Sequence, residues 1–284
     1  MKNLIQSSFL ILTSLLGGTA NAQTKSTENS LLWEISGKGL TKSSYLYGTV
    51  HMMCESDFKI TDKTMKAFSK SDKLALEIDM DDPSEVMAMQ QSAMSKEPLS
   101  KTLNSEDYKK LDTFLQEKLG QGAKTFESYS LATIMSMVMF KSLNCTPKMY
   151  EFEFIKMAKE KNIETIGLEK LIDQLTFLSK AYSDHEMIGQ LQHYDADYFN
   201  EMIPIYTSEQ LHKLYQLTTD PKFMNQESKK WMLDVRNNNW AKKMPELMKK
   251  ESVFFAVGAA HLDGEQGVIQ LLKKAGYKVK PIMN

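Results

Sequence analysis

The chain has 284 residues, of which 42% are hydrophobic and 25% are charged, and its formal net charge is −1. This is the composition of an ordinary globular protein with enough length for a sizeable core. The balanced charge argues against nucleic acid as a partner, because a surface that binds a polyanion needs an excess of lysine and arginine.

The first 22 residues have the layout of a secretory signal peptide. Lys2 precedes an apolar run from Phe9 to Leu16, and small residues follow that end in Ala20-Asn21-Ala22. The apolar run is shorter than the roughly 20 residues that a membrane-spanning helix needs. We therefore expect cleavage after Ala22, export to the periplasm or the outside of the cell, and a single domain over residues 23–284 with no integral membrane span.

The mature chain begins with a predicted β-hairpin, followed by a helix and a third strand. Leu31–Ile35 and Ser44–Val50 have the composition of strands, and Gly37-Lys38-Gly39 between them is a turn sequence. A helix is predicted from Thr61, and the short apolar run Leu74–Ile78 predicts the third strand.

The middle of the chain is predicted to be helical, with one strand at Thr165–Leu168. Apolar residues recur there at spacings of three and four, which is typical of helices with one buried face. The predicted helices lie near 83–95, 105–118, 127–143, 147–161, 169–180, 184–192, 195–217 and 225–250.

The C-terminal segment repeats the order of elements seen near the N-terminus. Ser252–Val257 predicts a buried strand, Gly264–Ala275 an amphipathic helix and Lys278–Met283 a last strand. The order strand, Gly-x-x-His, helix, strand therefore occurs twice. We predict an α/β fold whose central mixed β-sheet is built from these two pseudo-repeated units, with a large helical insertion covering it.

Two Gly-x-x-His motifs carry the strongest functional signal. Gly48-Thr49-Val50-His51 and Gly258-Ala259-Ala260-His261 each follow an apolar strand directly, and open α/β sheets bind ligands at the carboxyl ends of their strands. Two histidines joined by a carboxylate leave coordination positions open for water and substrate, as hydrolytic metal sites require. The predicted metal ligands are therefore the two histidines and a carboxylate.

Glu77 is the leading candidate for that carboxylate. It stands in an apolar strand that we expect to neighbour the strand ending at His51, and a buried glutamate needs a partner. Its role stays open between metal ligand, general base and structural ion pair. Asp79 and Asp81 are weaker candidates in an acidic turn, and Asp263 either supports His261 or caps a helix.

Arg236 and the two cysteines complete the candidates. Arg236 is the only arginine in the chain, and its planar fork suits a carboxylate: a substrate terminus, a developing oxyanion or simply Glu169. Cys54 and Cys145 are the only cysteines, and export makes them candidates for one disulfide. The alternative is that Cys54 is a ligand or a nucleophile.

The motifs in this order resemble the TraB/GumN family, which is similar to the Tiki group of Wnt-inactivating metalloproteases. The resemblance covers nearly the whole mature chain and rests on Leu46–His51, Leu76–Asp79, Ala158–Glu169, Arg236-Asn237-x-x-Trp240 and Val257–Gly267. It implies an erythromycin-esterase-like and ChaN-like fold, and a manganese or cobalt ion, rather than zinc, held by His51, His261 and Glu77. It also implies that Arg236 and Asn237, which match the family's Arg-Asn pair, bind substrate.

Two functional hypotheses follow. In the first, the protein is an exported divalent-metal-dependent hydrolase, a peptidase, in which His51, Glu77 and His261 position the ion and Arg236 stabilises the oxyanion. In the alternative, the protein is a non-catalytic module that binds a peptide or a sugar in the same cleft. Either hypothesis gives it a peptide or another small exported molecule as its partner.

Overall fold

The computed structural model describes residues 29–283, so the predicted signal peptide lies outside the described part of the chain. The strands within that part are β1 (Leu32–Ser36), β2 (Ser44–Thr49), β3 (Met53–Cys54), β4 (Lys73–Leu76), β5 (Pro147–Lys148), β6 (Glu164–Gly167), β7 (Val253–Gly258) and β8 (Lys278–Pro281).

The helices of the same part are α1 (Asp62–Ser69), α2 (Pro83–Ser92), α3 (Leu99–Thr102), α4 (Ser105–Leu119), α5 (Leu131–Leu143), α6 (Tyr150–Lys161), α7 (Leu171–Ala181), α8 (Asp184–Gln190), α9 (Ala196–Thr207), α10 (Leu211–Thr218), α11 (Gln226–Lys229), α12 (Val235–Met248) and α13 (Val268–Lys274). A π-helical segment, Lys230–Asp234, joins α11 to α12. No helix among residues 29–283 has both the length and the apolar character needed to cross a membrane.

Six strands form one mixed sheet in the order β6-β4-β7-β2-β1-β8. β2, β7, β4 and β6 are parallel neighbours, whereas β1 is antiparallel to both β2 and β8. The predicted α/β fold with a central mixed sheet is therefore confirmed, and so is the hairpin of β1 and β2. The carboxyl ends of four strands, including both strands that lead into Gly-x-x-His, lie at one edge of this sheet.

The two strand-helix-strand units both occur, but they take different paths across the sheet. From β2 the chain passes α1 and reaches β4 on the far side of β7, whereas from β7 it passes α13 and reaches β8 at the opposite edge. The expectation that the strand before Glu77 neighbours the strand ending at His51 is wrong. The apolar strand β7, buried from Val253 to Val257, takes the central position between them because such a strand needs cover on both faces.

Three of the predicted helices are divided, shortened or altered by a local change in backbone conformation. The segment predicted as one helix at 195–217 is divided into α9 and α10, because Glu209 adopts a left-handed conformation with φ 54°. The helix predicted from Gly264 begins only at Val268, because Gly264 has φ 87° in a turn that precedes it. The segment 225–250 contains the π-helical turn between α11 and α12.

The helical insertion is more than a cover for the sheet. α6 and α12 pack on the sheet through Phe154, Trp240 and Met244, which are part of the main hydrophobic core. Helices α3, α4, α5 and α8 instead share a second core of their own. That core contains Leu99, Leu103, Leu111, Leu115, Ala123, Ile134, Val138, Ile188 and Leu191.

A disulfide between Cys54 and Cys145 fastens the loop after the first motif to the start of α6. β3 and β5 flank it as a two-stranded antiparallel ribbon, with Met53 opposite Lys148. The disulfide prediction is confirmed, and the alternative role of Cys54 as a ligand or nucleophile is wrong because its sulfur is bonded. The ribbon therefore sets the distance between His51 and α6.

Candidate functional site

The two Gly-x-x-His motifs lie at the same edge of the sheet because β2 and β7 are parallel neighbours, with Thr49 opposite Gly258. Both glycines make room for the other parts of the site. A Cβ on Gly48 would lie 2.9 Å from the Cβ of Ala259, and a Cβ on Gly258 would lie 3.2 Å from Glu77 Oε1. The glycines are therefore required by close approach between neighbouring chain segments.

His261 is buried and its tautomer follows from its neighbours. The Asn237 side chain donates through Nδ2 to the Gln266 carbonyl, at 2.9 Å, so its Oδ1 is turned towards His261 Nδ1, at 2.6 Å. Nδ1 therefore carries the proton, and Nε2 is left with its lone pair. Burial and the Arg236 guanidinium lower the pKa of His261 to about 3, so the imidazole is neutral at physiological pH.

Glu77 lies one residue beyond β4 and faces His261, with Oε1 3.9 Å from His261 Nε2. Oε1 accepts a hydrogen bond from the Gly258 N–H at 2.7 Å, and Oε2 accepts from Gln174 Nε2 at 3.0 Å and from Arg236 Nη2. Burial opposes ionisation, but Arg236 and the Gly258 N–H hold the pKa of Glu77 well below its usual range. The site thus contains an ionised carboxylate beside a neutral imidazole.

Arg236 joins two carboxylates of the site. Its Nε donates to Glu169 Oε1 at 2.8 Å, and its Nη2 contacts both Glu169 and Glu77. Nη1 lies 3.0 Å from the Met232 carbonyl, to which it donates, and 3.2 Å from His261 Nε2. All five N–H groups of the Arg236 guanidinium therefore have acceptors inside the protein. One of these acceptors is Glu169, which was among the partners predicted for Arg236.

A π-helical segment precedes the two adjacent residues that support Glu77 and His261. Lys230–Asp234 is wound more widely than an α-helix, and such turns are frequent at functional sites. Arg236 and Asn237 follow at the start of α12, both are buried, and both contact the imidazole of His261. Asn237 forms hydrogen bonds with His261 and Gln266, so in the structure it orients the histidine.

His51 has a different environment from His261. Its side chain is 66% exposed, and its Nδ1 lies 3.6 Å from Oε1 of Glu151 at the start of α6. The carboxylate of Glu151 raises the pKa of His51 above its ordinary value. Each motif histidine therefore has a carboxylate beside it, Glu151 for His51 and Glu77 for His261.

Sequence reasoning missed Glu151 and Gln174, and it named Trp240 in a family motif without predicting its contact with Glu169. Glu151 had a visible signal, because it lies on the same buried face of α6 as Phe154, Ile155 and Ala158, at spacings of three, four and seven. Gln174 bridges Glu77 and Glu169, and Trp240 donates to Glu169 Oε2 at 3.1 Å. An isolated glutamine within a helical pattern carries no comparable signal.

The weaker acidic candidates have other partners. Asp79 accepts a hydrogen bond from the Asp81 N–H at 3.0 Å, and Asp81 pairs with Lys159 at 2.6 Å. Asp263 is buried and lies 2.8 Å from Nδ1 of His212. The cap that begins α13 is Gly267, so the interpretation of Asp263 as a helix cap is wrong.

The donor chemistry of the site fits a divalent ion in part. An unprotonated imidazole Nε2, an ionised Glu77, a second histidine and the Glu151 carboxylate are suitable ligand types. Among residues 29–283, however, no three histidine, cysteine, aspartate or glutamate side chains converge as a complete ligand set. The site therefore offers a metal ion two pairs of donor groups at one edge of the sheet.

Comparison with known proteins agrees with the order of the motifs. The chain is 24% identical, over 321 aligned positions, to metalloprotease TIKI2 of Xenopus tropicalis; the alignment covers 89% of this chain and 60% of that protein. This chain thus spans less than two thirds of that relative's length. No solved structure matches the chain significantly. The model of the TraB/PrgY/gumN family matches residues 31–281, both motifs included, and the chain therefore belongs to the TraB/PrgY/gumN family.

Proposed function

We propose that this protein is an exported divalent-metal-dependent hydrolase, a peptidase, with its site at the carboxyl ends of β2, β7 and β4. The observation that carries the proposal is the ionised Glu77 facing the unprotonated Nε2 of the buried His261. The name of the relative, a metalloprotease, supports hydrolysis of peptides. The predicted signal peptide and the disulfide support export.

His51, Glu77 and His261 are the residues that would hold the ion, and family chemistry favours manganese or cobalt. When bound, a divalent ion supplies Lewis acidity, which polarises a carbonyl group and acidifies water. Asn237 keeps the lone pair of His261 on Nε2, and Arg236 keeps Glu77 ionised and oriented. Because a carboxylate with a low pKa is a weak base, Glu77 suits the role of ligand better than that of general base.

Arg236 contributes to the reaction through Glu77 in this proposal. Its N–H groups are engaged by Glu169, Glu77, Met232 and His261. To stabilise an oxyanion it would have to leave one of these acceptors. We therefore assign Arg236 and Asn237 to positioning the two donors.

The test is a peptide-cleavage screen of purified residues 23–284 with Mn²⁺, Co²⁺ or EDTA, followed by mass spectrometry. We expect fragments that depend on the metal and that disappear in His261→Ala and Glu77→Gln. His185→Ala is the matched control, because His185 is exposed and pairs with Asp107 away from the site. Peptide binding without any fragments would support the non-catalytic module instead.

A further inference from the structure

The carboxyl group of Glu151 is buried, and only one of its oxygens has a protein donor. Oε1 accepts a hydrogen bond from Thr49 Oγ1 at 2.8 Å, within the first Gly-x-x-His motif. Oε2 is buried and has no hydrogen-bond partner among the described residues. The whole residue is only 8% exposed. A buried carboxylate oxygen without a donor is energetically unfavourable unless a cation or a proton compensates it.

The fold holds the carboxyl group of Glu151 beside the first motif histidine. The disulfide and the ribbon of β3 and β5 connect the loop after His51 to the residues just before α6. Glu151 is the second residue of α6, and its Oε1 lies 3.6 Å from His51 Nδ1. The position of Glu151 is thus determined by covalent and backbone bonds on both sides of the pair.

The charge around the site favours a cation as the missing partner. Three carboxylates, those of Glu77, Glu169 and Glu151, accompany one guanidinium, that of Arg236, which bonds to the first two of them, whereas the third has the exposed imidazole of His51 at 3.6 Å. Glu151 does not share Arg236. Carboxylate oxygen is a ligand type that manganese and other hard divalent ions prefer.

We propose that Glu151 is a ligand of the divalent ion on the His51 side of the site. This inference rests on the proposed metal-dependent function and adds a residue to its ligand set. Thr49 then has a positioning role, because its hydroxyl bonds to one oxygen of Glu151 and leaves the other for the ion. Thr49, within the first motif, thus contributes to the site together with the histidine.

The test is calorimetric titration of metal-free residues 23–284 with MnCl₂, with cobalt absorption spectra as a second measurement. Glu151→Gln keeps the shape of the side chain and removes its charge. Glu153→Gln is the matched control, because Glu153 also lies in the first turn of α6 but pairs with Lys148 at 3.8 Å. We expect Glu151→Gln to weaken Mn²⁺ binding at least tenfold and Glu153→Gln to leave it unchanged.

Thermal unfolding separates a ligand from a purely structural residue. In the metal-free protein Glu151→Gln should unfold at the same or a higher temperature, because it removes the negative charge from a buried carboxyl group whose Oε2 has no hydrogen-bond donor among the described residues. The increase in unfolding temperature on adding Mn²⁺ should then be smaller than in the wild type. If Glu151→Gln does not fold, Glu151→Asp keeps the charge but shortens the side chain, and the same loss of affinity is expected.

The possible results distinguish the two proposals. Mn²⁺ binding that is lost in His261→Ala but equal in the wild type and in Glu151→Gln would overturn the role of Glu151 and leave the metal-dependent function standing. Binding of none of Mn²⁺, Co²⁺ and Zn²⁺ by the folded wild type would overturn both. A reduced unfolding temperature of metal-free Glu151→Gln with unchanged Mn²⁺ affinity would make Glu151 a structural residue.

Discussion

At the scale of single residues, the site depends on one guanidinium shared by two buried carboxylates. Arg236 contacts Glu77 and Glu169, and all three side chains are at most 12% exposed. A lysine could not replace it, because a single ammonium group lacks the planar fork that reaches both acids. This explains why the only arginine of the chain stands at this position.

Replacement of Arg236 by methionine should destabilise the protein by about 3–5 kcal/mol, because it leaves two buried carboxylates without their counter-charge. Urea unfolding measured by circular dichroism checks this value. The double variant Arg236→Met/Glu169→Gln should recover part of the loss, since it removes one of the two stranded charges. A double variant as unstable as the sum of the two single variants would contradict the network.

At the scale of elements, the site depends on the close spacing between β2 and the turn after β7 as well as on its charged side chains. Gly48→Ala would place a Cβ 2.9 Å from that of Ala259, so we expect it to lower the free energy of unfolding by about 1–3 kcal/mol through overpacking. It should also reduce metal binding, because both motifs would shift. The same urea titration measures the stability effect.

Gly189→Ala is the control for that substitution. Gly189 lies within α8, where an added Cβ would meet only Lys110 Nζ at 4.0 Å. Alanine is the better helix former by roughly 1 kcal/mol, so Gly189→Ala should be neutral or stabilising. If both substitutions destabilised the protein equally, the close approach of Gly48 to Ala259 would not be the reason that position 48 requires glycine.

At the scale of the whole molecule, the buried neutral His261 makes stability depend on pH. Its pKa is lowered to about 3 in the folded protein, whereas an unperturbed histidine has a pKa of about 6.5. The unfolded chain therefore binds this proton first as the pH falls. The contribution is fully present above pH 6.5 and is lost progressively between about pH 6.5 and 3.

The metal-free protein should therefore lose up to about 1.4 kcal/mol of stability per pH unit below about 6.5. The depressed pKa of Glu77 adds a loss of the same sign at lower pH, below the ordinary value for a glutamate. Urea unfolding at several pH values in EDTA measures the slope. His261→Gln should have a smaller slope between about pH 6.5 and 4.5, and an unchanged slope would assign the pH dependence to other groups.

Local patterns were sufficient for most of the elements and for the two histidines. Periodicity and composition predicted the strands before His51 and His261, because short runs rich in aromatic and aliphatic residues and followed by glycine are typical of buried strands. They failed where one residue changes the backbone, as at Glu209, whose left-handed φ of 54° divides α9 from α10. They also failed to predict which strands lie beside β4, because strand order depends on which apolar strand best fills the centre of the sheet.

The sequence by itself determined the α/β class, the membership of the family, the two motifs and the cysteines available for a disulfide. Only the tertiary structure decided that Asn237 and Arg236 serve His261 and Glu77, and that Glu151 lies against Thr49 from 102 residues away. The physical reason is that secondary structure and motifs are encoded within a few neighbouring residues. Hydrogen bonds and ion pairs at a site instead depend on which distant segments the packed sheet brings to the same edge.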